Sequence, residues 1–198
     1  MGYQIVAIER EYATGGQDIG ARVGEMLEIP CYGRDILQMA AREWNTEAAY
    51  IEHLEENFTN SLLYSIGMAA RAAAGQGDGL SEEGRLFLTE NQIVKRLALE
   101  GPCVFVGRCA GWALRRRTDV LNVFIYGDWD CRIRRAIEEY GIPEREAESA
   151  LKRFDKRRAG FYEANTARKW RDRQHYHMML DSSKLGVETC ARMIGQFL

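Results

Sequence analysis

The sequence predicts an α/β protein with a parallel sheet lying between layers of helices. Three observations predict it. Apolar runs of strand length alternate with amphipathic stretches of helix length, the pattern of strand-helix-strand units joined by right-handed crossovers. The first run, Tyr3 to Ile8, holds the unbroken apolar stretch Ile5-Val6-Ala7-Ile8, as in a central parallel strand covered on both faces. A chain of 198 residues, 46% hydrophobic and 28% charged, has the size and composition of one core.

The first strand runs into the turn-rich segment Glu9 to Gly16, and the spacing Ile19, Val23, Met26, Leu27 then predicts a helix ending before Ile29-Pro30. A second helix is predicted around Arg34 to Trp44, and a third on the stripe Ile51, Leu54, Phe58, Leu62, Ile66, Ala69. Gly75, Gly77 and Gly79 mark a hinge-like connection, and Ser81 followed by two glutamates opens a helix reaching about Leu99. Cys103 to Val106 reads as a strand, ending at Gly107-Arg108 before a helix through Leu114. Leu121 to Tyr126 reads as another strand, and Asp128 as the N-cap of a helix over Trp129 to Tyr140. Pro143 opens a long charged helix to about Ala164; a short strand over Met178 to Leu180 and a helix over Val187 to Phe197 close the chain.

Charge and cysteine usage narrow the function classes. No apolar run approaches membrane-spanning length, so no membrane partner is expected. Five cysteines, odd in number and without a C-x-x-C pair, point to reduced thiols in the cytoplasm rather than a zinc site or a disulfide framework. The net charge of −2 conceals an asymmetry: residues 152–173 carry nine bases and three acids, a net +6. A compact cationic segment on a mildly acidic chain suits a localised anion site better than a nucleic-acid surface. Residues 43–60 carry five glutamates and no Lys or Arg, read as a solvated helix face or a counter-surface for that segment. His175 and His177 lack metal partners at zinc spacing, and Ser182-Ser183 lacks a nucleophile-elbow pattern.

Ligands of parallel sheets sit beyond the C-terminal strand ends, which directs attention to the loops after Ile8 and Val106. A phosphate-binding loop of the form G-x-x-x-x-G-K-[ST] combines convergent backbone amides, a Lys that neutralises the anion and a hydroxyl for magnesium. Laid on residues 11–18, the pattern keeps its second glycine, Gly16. The strand-to-helix setting and the bare amides of Gly15-Gly16 favour an anion site; a tight turn without ligand is the alternative.

The segment Glu9-Arg10-Glu11-Tyr12-Ala13-Thr14-Gly15-Gly16-Gln17-Asp18-Ile19-Gly20, the strand end Val106-Gly107-Arg108-Cys109-Ala110, the run Phe154-Asp155-Lys156-Arg157-Arg158-Ala159, the pair Lys169-Trp170 and the closing Leu180 to Gly186 together resemble the cytidylate kinase-like family of P-loop kinases. The resemblance covers nearly the whole chain in order. It implies a single three-layer P-loop domain over residues 1–198, with a helical monophosphate-binding insertion at about 33–100 and a helical lid at about 143–175. It places Arg108 on the acceptor phosphate and Arg157 or Arg158 in the lid over the donor phosphates. Arg10, Thr14, Gly15, Gly16, Gln17, Asp18 and Lys156 are the nucleotide-binding candidates.

The chemistry agrees, because phosphoryl transfer rests on positioning and charge neutralisation, and arginine's planar fork supplies both. Asp155, three residues before Arg158 on one helix face, is expected to orient it. The loop departs from the family: many members end it in Arg-Glu, and here Gln17-Asp18 removes the cation. Arg10 or the lid arginines then have to compensate, and Asp18 becomes the candidate magnesium ligand. The expected activity is transfer of the γ-phosphoryl of ATP, with Mg2+, to a nucleoside monophosphate. A kinase for another small molecule and a catalytically silent nucleotide-binding protein are the alternatives.

Overall fold

A computed structural model describes residues 2–51 and 81–198. The strands β1 (Ile5–Arg10), β2 (Cys31–Tyr32), β3 (Cys103–Val106), β4 (Val120–Tyr126) and β5 (Met178–Asp181) form one parallel sheet in the order β2-β3-β1-β4-β5. The helices among the described residues include α1 (Gly16–Leu27), α2 (Asp35–Glu43), α3 (Glu82–Glu100), α4 (Ala110–Ala113), α5 (Trp129–Glu138), α6 (Glu144–Thr166) and α7 (Ser182–Gly195). The predicted helical stripe beyond Ile51, the three alternating glycines and the acidic run beyond Ile51 lie outside the described residues.

Alternation along the strands builds two cores, because successive side chains point to opposite faces. Ile5 and Ala7 of β1, with Cys103 and Phe105 of β3, pack against α2, α3 and α4. Val6 and Ile8, with Val104, Val106 and Leu121, pack against Ile19 and Val23 of α1 and Cys190, Ala191 and Ile194 of α7. Both faces of β1 are therefore apolar, which is why its sequence runs unbroken. A further aromatic cluster of Phe87, Phe124, Tyr162 and Trp170 fastens the segment after α6 to β4.

The element boundaries shift modestly from those read in the sequence. The first strand starts at Ile5 and runs two residues past Ile8, placing Arg10 at the sheet's C-terminal edge. Asp128 caps α5 as expected, accepting from the amides of Asp130 and Cys131, and Ser81 caps α3 by accepting from the Gly84 amide. Strand β2, two residues long at the edge, is too short for its sequence to show periodicity. The last helix begins at Ser182 rather than Val187, interrupted by Gly186 at φ 76° and ψ 164°.

In α1, Met26 is 39% exposed instead of core-facing, and glycines take the contact it was expected to make. Gly16, Gly20 and Gly24 recur at four-residue spacing and all three are buried. A Cβ on Gly20 would collide with Val106 Cγ2, and one on Gly24 would stand 2.8 Å from the Ile29 carbonyl oxygen. The helix axis sits close over β1 and β3 because those side chains are missing.

Candidate active site

The turn from β1 into α1 brings the chain back over its own strand end. Ala13 and Gly15 adopt left-handed conformations, at φ 58° and 70°, and Gly15 is the N-cap of α1. Gly15 and Gly16 are buried, while Gln17 and Asp18 are exposed in the first helical turn. The Thr14 hydroxyl donates to the Glu11 carbonyl at 2.8 Å and closes the turn. Space above the loop is held by arginines: a Cβ on Gly16 would stand 2.7 Å from Arg10 Cβ, and one on Gly15 would stand 2.8 Å from Arg135 Nη1. The loop thus offers the amides of a helix N-terminus beside the Arg135 guanidinium, a setting that favours an oxyanion.

Beyond the ends of β1 and β3 lies a cleft of about 410 Å3, within the range of small-molecule sites. Among the described residues five arginines line it, Arg10, Arg34, Arg108, Arg157 and Arg158, against one carboxylate, Glu9. Tyr12, Phe154, Phe161 and Tyr162 supply aromatic walls. The structure therefore brings together Arg10, Arg108, Arg157 and Arg158 of the sequence candidates. Lys156 is exposed on α6, and Thr14, Gly15, Gly16, Gln17 and Asp18 form the neighbouring loop rather than the cleft wall.

Electrostatics explain why this cleft suits an anion. Arg158 Nη1 donates to the Arg10 carbonyl at 3.0 Å, and its guanidinium lies 5.5 Å from the Tyr12 ring centre. Burial, followed by the nearby Arg10 charge, pushes Arg158 down to about 9, so it stays protonated at neutral pH while poorly solvated. An anion placed beside it would replace the missing solvation. Arg108 is held at 3.2 Å from Glu90, whose side chain is 1% exposed. Its backbone is left-handed at φ 61°, so Gly107-Arg108 turns the guanidinium off the end of β3. Burial raises Glu9 above the ordinary carboxylate range, against the pull of Arg10; its Oε2 accepts from Trp170 Nε1 at 3.1 Å.

Asp155 has other partners than the one expected. Its Oδ1 accepts the Tyr12 amide at 2.7 Å and its Oδ2 accepts Arg132 Nη2 at 2.6 Å. Arg132 also donates to the Tyr12 carbonyl at 2.7 Å and to Glu11 Oε2 at 2.9 Å. Arg171 bridges the same two carboxylates at 2.8 and 3.2 Å. Two cations and two acids thereby tie the phosphate loop to α5 and α6 without using Arg158. Sequence reasoning missed Arg34 in the cleft wall and Arg132, Arg135, Glu11 and Arg171 around the loop. A signal existed for Arg132, which shares the inner face of α5 with Ala136 four residues on.

The profile of the cytidylate kinase-like family matches residues 5–184. This chain belongs to that family. Cytidylate kinase-like proteins are P-loop kinases by fold, and the solved structures that match agree. An uncharacterized protein from Eubacterium ventriosum ATCC 27560 superposes with a TM-score of 0.72 at 22% identity, covering 98% of this chain and 96% of that one. Shikimate kinase from Acinetobacter baumannii, solved in complex with shikimate, gives 0.54 at 14% identity, with coverages of 98% and 92%. Shikimate kinase from Bacteroides thetaiotaomicron gives 0.54 at 14% identity, with coverages of 97% and 96%. No curated protein matches the chain.

Proposed function

We propose that this cytidylate kinase-like protein is an ATP-dependent phosphotransferase whose acceptor is a nucleoside monophosphate or a similar small phosphorylated molecule. The observation that carries the reading is the five-arginine cleft beside a glycine loop at the N-terminus of α1. In this reading the Gly15-Gly16 amides, Thr14, Gln17 and Arg10 receive the donor phosphates. Arg108 holds the acceptor phosphate, and Arg157 and Arg158 stand between the two to neutralise charge on the transferring group. Helix α6 and the residues to 175 serve as the lid, and Asp155 supports it from beneath; residues 33–100 contribute the acceptor side.

Magnesium fits the loop as an ion shared with substrate. Asp18 is an exposed carboxylate in the first turn of α1, and no group of three or more His, Cys, Asp or Glu side chains able to hold a metal occurs among the described residues. Mg2+ characteristically takes one or two protein carboxylates and completes its shell with phosphate oxygens and water. When bound, it supplies charge neutralisation across the phosphates. The unpaired cysteines support a reducing compartment, the cytoplasm.

A second reading, a nucleotide-binding protein without turnover, is favoured by Gln17 standing where such loops carry a cation. Phosphorylation assays over a panel of nucleoside monophosphates and shikimate, run beside ATP titration calorimetry, separate the readings. Turnover with at least one monophosphate is the expected result. Saturable ATP binding with no product from any acceptor establishes the silent reading instead.

A further inference from the structure

A groove of about 440 Å3 opens on the sheet face that carries α4, separate in its floor from the five-arginine cleft. The floor is Ala7 of β1 and Asn122 of β4, paired directly across the two strands. The face of a central parallel strand is ordinarily covered by apolar packing; here Asn122 is polar and half-buried. Gly111 of α4 permits the close approach of that helix, since a Cβ there would collide with Asn122 Oδ1. One wall runs from Gly111 through Arg115 to Thr118, and the other holds Arg168 and Gln174 to His177.

The charges of these walls are mostly positive and unevenly occupied. Arg117 is engaged with Asp119 at 2.7 and 2.9 Å and with the Ala98 carbonyl. Arg115 lies 3.9 Å from the Trp112 ring centre and gives only Nη1 to a backbone carbonyl, leaving donors of its fork available. Arg168 lines the groove with no side-chain hydrogen bond or ion pair among the described residues. His177 Nδ1 accepts the Asn122 amide at 3.1 Å, which leaves Nε2 to carry the ring proton as a donor. Glu9, the one carboxylate among the described residues that line the groove, forms with Tyr162 a partition that also borders the cleft.

We propose that this groove is a second oxyanion site, which holds a small phosphorylated or carboxylated molecule between Arg168 and Arg115 over Asn122. A recess lined by donors of one sign concentrates anions, and guanidinium forks match phosphate and carboxylate alike. The site does not depend on the kinase reading, since none of Arg115, Arg168 and Asn122 lines the five-arginine cleft.

The test is equilibrium dialysis of the full chain against inorganic phosphate and, separately, malonate. Arg168→Ala and the double variant R115A/R168A are compared with Arg108→Ala, which reports on the cleft alone. The expected result is one saturable anion site that survives Arg108→Ala and weakens about tenfold or more in the Arg168 variants. Preference for phosphate marks a phosphorylated ligand, and preference for malonate a carboxylated one. The proposal is overturned if the Arg168 variants bind both probes as the parent chain does, or if Arg108→Ala abolishes all saturable binding. Arg168 is partly exposed and makes no side-chain bond, so its replacement leaves a folded chain to measure.

Discussion

Arg132 is the residue on which the loop geometry depends most. Its side chain is 5% exposed and its hydrogen bonds reach Tyr12, Glu11 and Asp155, so removing it leaves the two buried carboxylates with Arg171 as their remaining paired cation, beside the Tyr12 and Gly127 amides. Arg132→Ala should lower the unfolding free energy by about 3 to 5 kcal/mol in urea titrations; a loss under about 1 kcal/mol would show that water replaces the guanidinium. Glu9 makes a pH-dependent prediction. Burial raises its folded-state value, so its contribution to stability is full below the ordinary carboxylate range and is lost as pH rises through the raised value. Glu9→Gln should therefore stabilise the chain at pH 7, with a gain that fades toward pH 4; a gain independent of pH would contradict the burial argument. Four of the cleft arginines were legible in the sequence because Arg10 and Arg108 follow apolar strands and Arg157-Arg158 sits in a cationic run, whereas Arg34, at the start of α2, carried no such signal. Arg132 was not, since its partner Glu11 lies 121 positions away and no local pattern encodes that pairing.

Among the elements, α1 sets the distance between the phosphate loop and the sheet. Gly20→Ala inserts a methyl group against Val106, and overpacking of this kind costs about 1 to 3 kcal/mol. The variant should show a lower urea midpoint with the same transition slope, and unchanged stability would mean that α1 shifts outward freely. Apart from β2, the strands and helices of the described residues came through from runs, spacing and end signals, because β1, β3 and β4 are buried runs and α5 and α6 carry capping or proline signals at their starts. The packing face of α1 came through in Ile19, Val23 and Leu27 but not in Met26. A reading that counts apolar residues selects Met26, whereas the structure uses the residues with no side chain. Helix α6 reads in the sequence as a charged helix that carries an anion site, with no sign of an inner face, yet Asp155, Leu151 and Tyr162 are buried along it, because the helix docks on the loop after β1 and on the aromatic cluster.

For the molecule as a whole, the cleft arginines stand beside a loop whose first helical turn exposes the acid Asp18. Asp18, behind burial, helps raise the Tyr140 hydroxyl above its usual range, so its charge is felt across the loop. ATP should therefore bind weakly without metal and more tightly with Mg2+. Gln17→Lys should improve metal-free binding, each close charge contact being worth about 1 to 4 kcal/mol, and Asp18→Asn should erase most of the Mg2+ dependence. Titration calorimetry of each variant with and without Mg2+ decides this, and an Asp18→Asn chain that keeps the parent's metal dependence removes Asp18 from the ion. The three-layer architecture followed from strand and helix order, while the acceptor's identity did not, because base recognition depends on a few side chains placed by tertiary folding.

The hydrogen bond from Trp170 to Glu9 gives the protein an optical readout of its own interior. The indole is 1% exposed, so quenchers and solvent relaxation reach it poorly, while its emission responds to the electric field of the carboxylate it touches. Glu9 stands in the partition between cleft and groove. With Trp44, Trp112 and Trp129 changed to Phe, one of the four tryptophans remains, and a shift of its emission wavelength would register, in real time and without a label, an anion arriving on either side of that wall.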